Sequence, residues 1–307
     1  MTIPGVRLGA FEWGLIGLQS MLWGSAFFWI AFARNELPPF TITALRLLPA
    51  IAILLAVLAW KRLRLPADLK IWLHLIAFAA FNNVIPFVLI IYAQREVTTG
   101  MSAVFNATAP LFTLLLAGKL LAGERFSWGK VIGIVTGIVG VGIITAPALT
   151  GATHVSPGTT MALLAAPLCY AIATIYARLA LIHMQPFALA TGQMIGSLIF
   201  AAPLALAIER PWTLAMPGMP AIGAVLAMGI FGSALASLCH FTVLRRAGAT
   251  NSMLVTLLLP VTPLILGRLF LGETMSTPDF LGAAIIALAL IIIDGRLLQR
   301  MWGQQHR

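Results

Sequence analysis

The chain has 307 residues, 60 % of them hydrophobic and only 9 % charged, with a mean hydropathy of +0.99. A soluble domain carries roughly a quarter of its residues as Asp, Glu, Lys or Arg, so water is excluded as the main solvent of this surface. The net charge of +10 is scattered between apolar segments rather than gathered into a stripe or arm, which argues against nucleic acid as a partner.

Long apolar runs predict spans over residues 11–32, 40–60, 71–92, 101–121, 129–147, 158–178, 186–208, 219–243, 251–271 and 279–294. Ten spans of about 20 residues use nearly the whole length and leave no room for a soluble catalytic domain. The runs are continuous, without the ten-residue alternation of a membrane β-barrel. The first ends in Ala31-Phe32-Ala33, a small-x-small triplet of the kind signal peptidase cuts. It is too long for a signal h-region and is expected to stay as a helix. Cys169 and Cys239 both fall inside apolar segments and suggest neither a disulfide frame nor a metal site.

With the N-terminus placed in the cytoplasm, inside loops hold 14 Lys and Arg residues and outside loops hold 4, Arg34, Arg95, Arg210 and Arg268. That asymmetry predicts both termini inside, in a bacterial inner membrane.

The two halves, 1–150 and 151–307, match each other. Phe81, Arg95 and Pro110 recur as Phe231, Arg245 and Pro260, each 150 residues on. Gly123-Glu124 and Gly133 recur as Gly272-Glu273 and Gly282, 149 residues on. Trp23, Pro39-Phe40 and Arg46 align with Tyr170, Pro186-Phe187 and Gln193, 147 residues on. Each repeat holds five helices, an odd number, so the second enters the membrane from the opposite side. The expected fold is therefore an all-α membrane protein of ten helices in two inverted five-helix repeats, an organisation that serves alternating access.

Leu22-Trp23-Gly24-Ser25, the Pro39…Arg46 spacing and the paired Pro…Gly-Glu segments ending at Glu124 and Glu273 resemble the EamA-type transporters of the drug/metabolite superfamily. The resemblance covers roughly residues 11–294. It implies export of amino acids or related metabolites, with the YddG-like aromatic and broad amino-acid exporters as the branch. The second half departs from the first, since Tyr170 replaces Trp-Gly and Gln193 replaces Arg.

No GxxxxGK[ST] loop is present; Gly123 to Gly129-Lys130 has the wrong spacing and continues into Val131. ATP-driven transport is not expected. All nine carboxylates lie in loops or at helix ends, so a proton relay finds no carboxylate in mid-span. Exchange down a gradient, or coupling through His240, remains. No cofactor and no metal is expected.

Arg46 is the one base within a span, roughly 9 Å from its outer end at about 1.5 Å per residue. Either it snorkels to the interface, or it holds a substrate carboxylate or clamps backbone carbonyls. Asn82, Asn83, Asn106, Gln193, Ser233 and His240 either line a cavity or bond helices together. Trp23 and Tyr170, equivalent in the repeats, are candidate aromatic walls. Pro110, Pro260 and Pro263 fall mid-span and are candidate hinges. Gly123 and Gly272 suit helix C-termini, Ser276 to Asp279 the start of a helix, and Glu124 and Glu273 a structural role. Gly129, Gly133 and Gly137 permit close helix approach, within a monomer or across a dimer.

The expected function is export of a small molecule, foremost neutral and aromatic amino acids, with lipid as the other partner. Drugs or other metabolites such as sugar phosphates are the alternative cargo. A channel is a further possibility. An intramembrane enzyme would need a motif such as HExxH or GxSxG, and neither is found.

Overall fold

The computed structural model describes residues 9–120, 128–149, 155–240, 242–243 and 254–294. Those residues form ten helical segments. The first five are α1 (Ala10–Ala33), α2 (Pro39–Trp60), α3 (Leu69–Ala93), α4 (Thr99–Asn106 and Ala109–Leu120) and α5 (Trp128–Leu149). The second five are α6 (Pro157–Ala180), α7 (Pro186–Glu209), α8 (Met219–His240), α9 (Leu254–Leu258 and Val261–Phe270) and α10 (Thr277–Asp294). Among the described residues, 7 helices are long and apolar enough to cross a membrane, and α5, α9 and α10 contain shorter apolar helices. Large apolar side chains such as Ile132, Val135, Ile138 and Val139 on α5 stand exposed. In water such a patch would drive association; against lipid it is at rest.

The packing of the helices exposes the repeat. α1 lies against α8 and α9, and α6 against α3 and α4; α2 lies against α7 and α8, and α7 against α2 and α3. α5 pairs with α10, and α4 with α9. Exchanging every helix for the one five places later reproduces this set. Arg62 (φ 55) and Arg210 (φ 47), at the ends of α2 and α7, share the left-handed conformation that side chains seldom adopt.

Glycine sets the closest approaches. A Cβ on Gly140 of α5 would lie 3.0 Å from the Gly282 carbonyl of α10, and one on Gly282 would lie 2.7 Å from the Gly140 carbonyl. A Cβ on Gly137 would collide with Leu111 of α4, so this glycine serves packing within the chain. Gly129 and Gly133 lie on the same helix. Gly272, φ 65, ends α9 as expected, and the Ser276 N–H and hydroxyl both donate to Asp279 Oδ2 at the start of α10. Gly123 and Glu124 lie outside the described residues.

Two helices widen in mid-span. Pro86 lacks the N–H that would bond the Asn82 carbonyl, and α3 passes through a π segment, Ala80–Val84, in which the Ile85 N–H reaches the Ala80 carbonyl. α8 has a π segment over Met228–Leu235, where the Ser233 hydroxyl donates to the Met228 carbonyl at 3.1 Å. π segments inside α-helices recur at functional sites. Ser233 lies 150 residues after Asn83, the repeat interval.

Candidate functional site

The two π segments meet on Arg46. Its Nη1 donates to Ser233 Oγ at 2.9 Å, and its Nη2 donates to the side-chain oxygen of Asn83 at 2.6 Å and to the Asn83 carbonyl at 3.2 Å. The guanidinium lies over the Phe87 ring, 3.6 Å from its centroid. The Asn83 amide nitrogen donates to Ser197 Oγ on α7 at 2.8 Å, and the Ser197 hydroxyl donates to the Gln193 carbonyl at 2.8 Å. The network thus joins α2 and α3 of the first repeat to α7 and α8 of the second.

Arg46 is 4 % exposed, which excludes snorkelling. It is buried because α8 crosses α2 directly over it: a Cβ on Gly229 would overlap the Arg46 carbonyl. The clamp on a backbone carbonyl is present, at Asn83. The partners are all neutral. No carboxylate among the described residues bonds Arg46, and its Nε is buried without a hydrogen-bond partner. An ionic group this deep, paired only with dipoles, leaves a positive field in a low-dielectric interior.

The remaining sequence candidates sort by position. Asn83 and Ser233 belong to the network; Gln193 enters it through its carbonyl alone. Asn82 is half-buried, one residue from Asn83. Trp23 and Tyr170 both pack against the buried cluster that contains Phe27, Phe87, Met228 and Leu259. Trp23 also meets His240, with ring centroids 5.2 Å apart, and the His240 Nδ1 lies 2.9 Å from the Gln19 amide nitrogen. This second group joins α1 to α8. Asn106 ends the first piece of α4, its Oδ1 buried without a partner. Ser197, Phe87 and Gln19 escaped the sequence reading.

The prolines mark real interruptions. α4 breaks at Ala107–Thr108, before Pro110, and α9 breaks at Leu259–Pro260. Pro263 has no N–H for the Leu259 carbonyl, and a Cβ on Gly24 of α1 would come within 2.7 Å of that oxygen. Both breaks border open space. A cavity of about 120 Å³ is lined by Val104, Ala107, Pro260, Val261, Leu264 and Ile286. A wider groove of about 650 Å³ continues past Leu264 to Arg268, Glu273 and Phe280. The Arg46 network lines neither.

At the face where the even-numbered helices begin, carboxylates meet helix N-termini. Glu273 accepts from the Thr99 N–H at 2.9 Å and from its hydroxyl at 2.7 Å, which gives it the structural role expected. Beside it, burial lowers the pKa of Arg34; Glu273 opposes that shift and Arg95 adds to it. Glu96 is held below the usual carboxylate range, first by the Ser156 N–H and then by Thr159.

Two inverted sets of five helices, joined by a buried polar network and interrupted at paired prolines, define a polytopic membrane carrier. The chain belongs to the EamA-like transporter family, whose model matches residues 13–146 and again 157–294. It is 24 % identical over 290 residues to an uncharacterized transporter of Archaeoglobus fulgidus, covering 92 % of this chain and 98 % of that one. It is 28 % identical over 275 residues to protein PagO of Salmonella typhimurium, covering 87 % of each. The inner membrane transporter YedA of Escherichia coli is 24 % identical over 282 residues, 89 % of this chain and 87 % of that one. A crystal structure with a TM-score of 0.67 and 18 % identity, covering 91 % of this chain and 96 % of the other, shares the fold.

Proposed function

We propose that the protein is a secondary transporter that exports neutral and aromatic amino acids, with broad specificity, across the inner membrane by alternating access. The observation that carries this reading is Arg46: a buried cation between the repeats whose partners are all neutral and whose Nε is unused. A carboxylate is the ligand such a group lacks, and it offers planar, two-point recognition. One base suits the single carboxylate of an amino acid better than the doubly charged phosphate of a sugar phosphate. The aromatic neighbours Trp23 and Tyr170 supply apolar walls with little discrimination, since one methylene changes binding by only about 1–3 kcal/mol.

The breaks at Pro110 and Pro260 supply the bending elements of the alternating-access cycle, and the charge asymmetry of the loops supports an orientation with both termini in the cytoplasm. The test is competition in proteoliposomes. Phenylalanine, methionine and threonine should each inhibit flux of the others, and Trp23→Ala should alter the preference for side-chain size. Movement of glucose phosphate without movement of amino acids would replace this reading with the sugar-phosphate alternative.

A further inference from the structure

Four glutamates, two from each repeat, reach across to the other repeat, and all four do so at one face. Glu36 accepts from the Gly218 N–H at the start of α8 at 2.5 Å. Glu96 accepts from the Ser156 N–H at 2.7 Å and its hydroxyl at 3.0 Å, at the start of α6. Glu209 accepts from the Phe40 N–H at 2.9 Å, the Thr41 N–H at 2.6 Å and the Thr41 hydroxyl at 2.8 Å, at the start of α2. Glu273 accepts from Thr99 at the start of α4, as above. A carboxylate on the free N–H groups of a helix start combines charge-assisted hydrogen bonds with a favourable dipole.

The opposite face is organised differently. There α1, α3 and α7 are capped by their own residues: Glu12 accepts from the Gly9 N–H, Asp68 from the Lys70 N–H, and Gln185 from the Ala188 N–H. The repeat intervals explain the contrast. The positions equivalent to Glu36, Glu96 and Glu209 hold His183, Arg246 and Arg62. Only Glu273 keeps its counterpart, Glu124, which lies outside the described residues. The two rims are therefore unlike although the helices behind them are alike.

The four contacts do not have equal consequences. The pairs α1–α8 and α3–α6 are also bonded toward the opposite face, through Gln19 with His240 and through His74 with Tyr176 at 2.7 Å. Below the rim, α2 and α7 are linked through Asn83, which bonds both Arg46 and Ser197, and α4 and α9 by the Thr99 hydroxyl donating to the Pro263 carbonyl at 3.3 Å; among the described residues, α2–α7 has no direct side-chain hydrogen bond at the opposite face. At its far end α2–α7 has the Lys61 ammonium 5.0 Å from the Phe187 ring. α4 and α9 part around the cavity at Ala107 and Pro260. These two pairs join equivalent helices and so straddle the pseudo-twofold axis, where helix bundles that rock against each other separate on one face at a time.

We infer that Glu209 and Glu273 form a latch that holds this face shut, and that Glu36 and Glu96 fasten helix pairs that stay together throughout the cycle. The inference rests on the transport reading and names its gate: on the face that the loop charges assign to the outside, releasing these two carboxylates from Thr41 and Thr99 opens the exit. It also sets a resting preference for the state that faces the cytoplasm, where an exported substrate enters.

Spin labels at Asn35 with Trp212, and at Tyr92 with Thr274, placed in a chain with Cys169 and Cys239 replaced by Ala, would report the separation of the α1–α2 end from α7, and of the α3–α4 end from α9, at this rim. Distances measured without substrate keep the result independent of what is transported. The wild-type chain should give mainly the short distance of the closed rim. Glu209→Gln with Glu273→Gln, and the same pair changed to Ala, should convert about half or more of that population to a longer distance, while Glu36→Gln with Glu96→Gln leaves it in place. An unchanged distribution in both the Gln and Ala pairs, or an equal shift in the Glu36 and Glu96 pair, would overturn the latch. Neither outcome would touch the transport reading, which stands or falls on flux.

Discussion

Helix α2 holds two charges in opposite ways. At its start the Glu209 carboxylate receives two backbone N–H groups and a hydroxyl, at 2.6 to 2.9 Å, from the N-terminus of the helix. A turn and a half further along, Arg46 is sealed by α8 and bonded only to two neutral side chains and a carbonyl. The first charge has partners that complement it and holds the structure together. The second is solvated by dipoles alone, with its Nε unpartnered. The Glu209 contact thus serves structure, whereas the unused Nε of Arg46 is the feature on which the proposed binding role rests.

The strongest way to break the comparison is to neutralise the second charge. Arg46→Gln should retain the fold and lose amino-acid flux by a factor of tens or more, because removing one partner of a buried, hydrogen-bonded charge pair costs about 2–5 kcal/mol. Arg46→Lys should rescue poorly, since an ammonium cannot reproduce the two-point geometry. Flux in proteoliposomes and melting temperature measure the two effects separately.

Gly229→Ala attacks the seal rather than the charge. Its Cβ would overlap the Arg46 carbonyl and meet Pro49, so α8 must shift at an overpacking cost of about 1–3 kcal/mol. Lowered thermal stability together with lowered flux is expected, and unchanged melting would mean that the crossing is looser than described.

The hinges sharpen the comparison in the middle range. If the breaks in α4 and α9 work in opposition, Pro110→Ala and Pro260→Ala should bias the carrier toward opposite faces. Crosslinking across each mouth would show it; parallel shifts would reduce the prolines to static kinks.

The smallest effect belongs to Glu96, whose pKa is depressed in the folded chain. A depressed carboxylate contributes stability that is fully present above its unfolded pKa and is lost as pH falls through the folded one. Melting temperature should therefore drop slightly more between neutral pH and acid for wild type than for Glu96→Gln, and equal slopes would remove the contribution.

Much of this was legible in the sequence. The ten spans follow from uninterrupted apolar runs, and the inversion from an ordered series of matches at nearly constant interval. Arg46 was conspicuous as the only base within a span, but its burial was not, because that depends on Gly229 of a helix more than 180 residues away. Asn82 and Asn83 were inseparable for a related reason. A π turn advances the chain by an extra residue, about 100° of helix phase, so the usual periodicity misassigns the side chains around it. The repeat interval could have settled it, since Asn83 and not Asn82 is the counterpart of Ser233. Ser197, Phe87 and Gln19 carried no signal beyond their neighbours. Glu209 and Glu36 read as ordinary loop acids, their partners lying 168 to 182 residues away in sequence.

The central claim, that Arg46 receives the carboxylate of the transported molecule, is tested most directly by counterflow of phenylalanine against phenylalaninamide, which differs in lacking that carboxylate. Proteoliposomes containing the wild-type protein should exchange phenylalanine and not the amide, and well-folded Arg46→Gln should exchange neither. Equal exchange of the two by the wild-type protein, or undiminished phenylalanine exchange by Arg46→Gln, would contradict it.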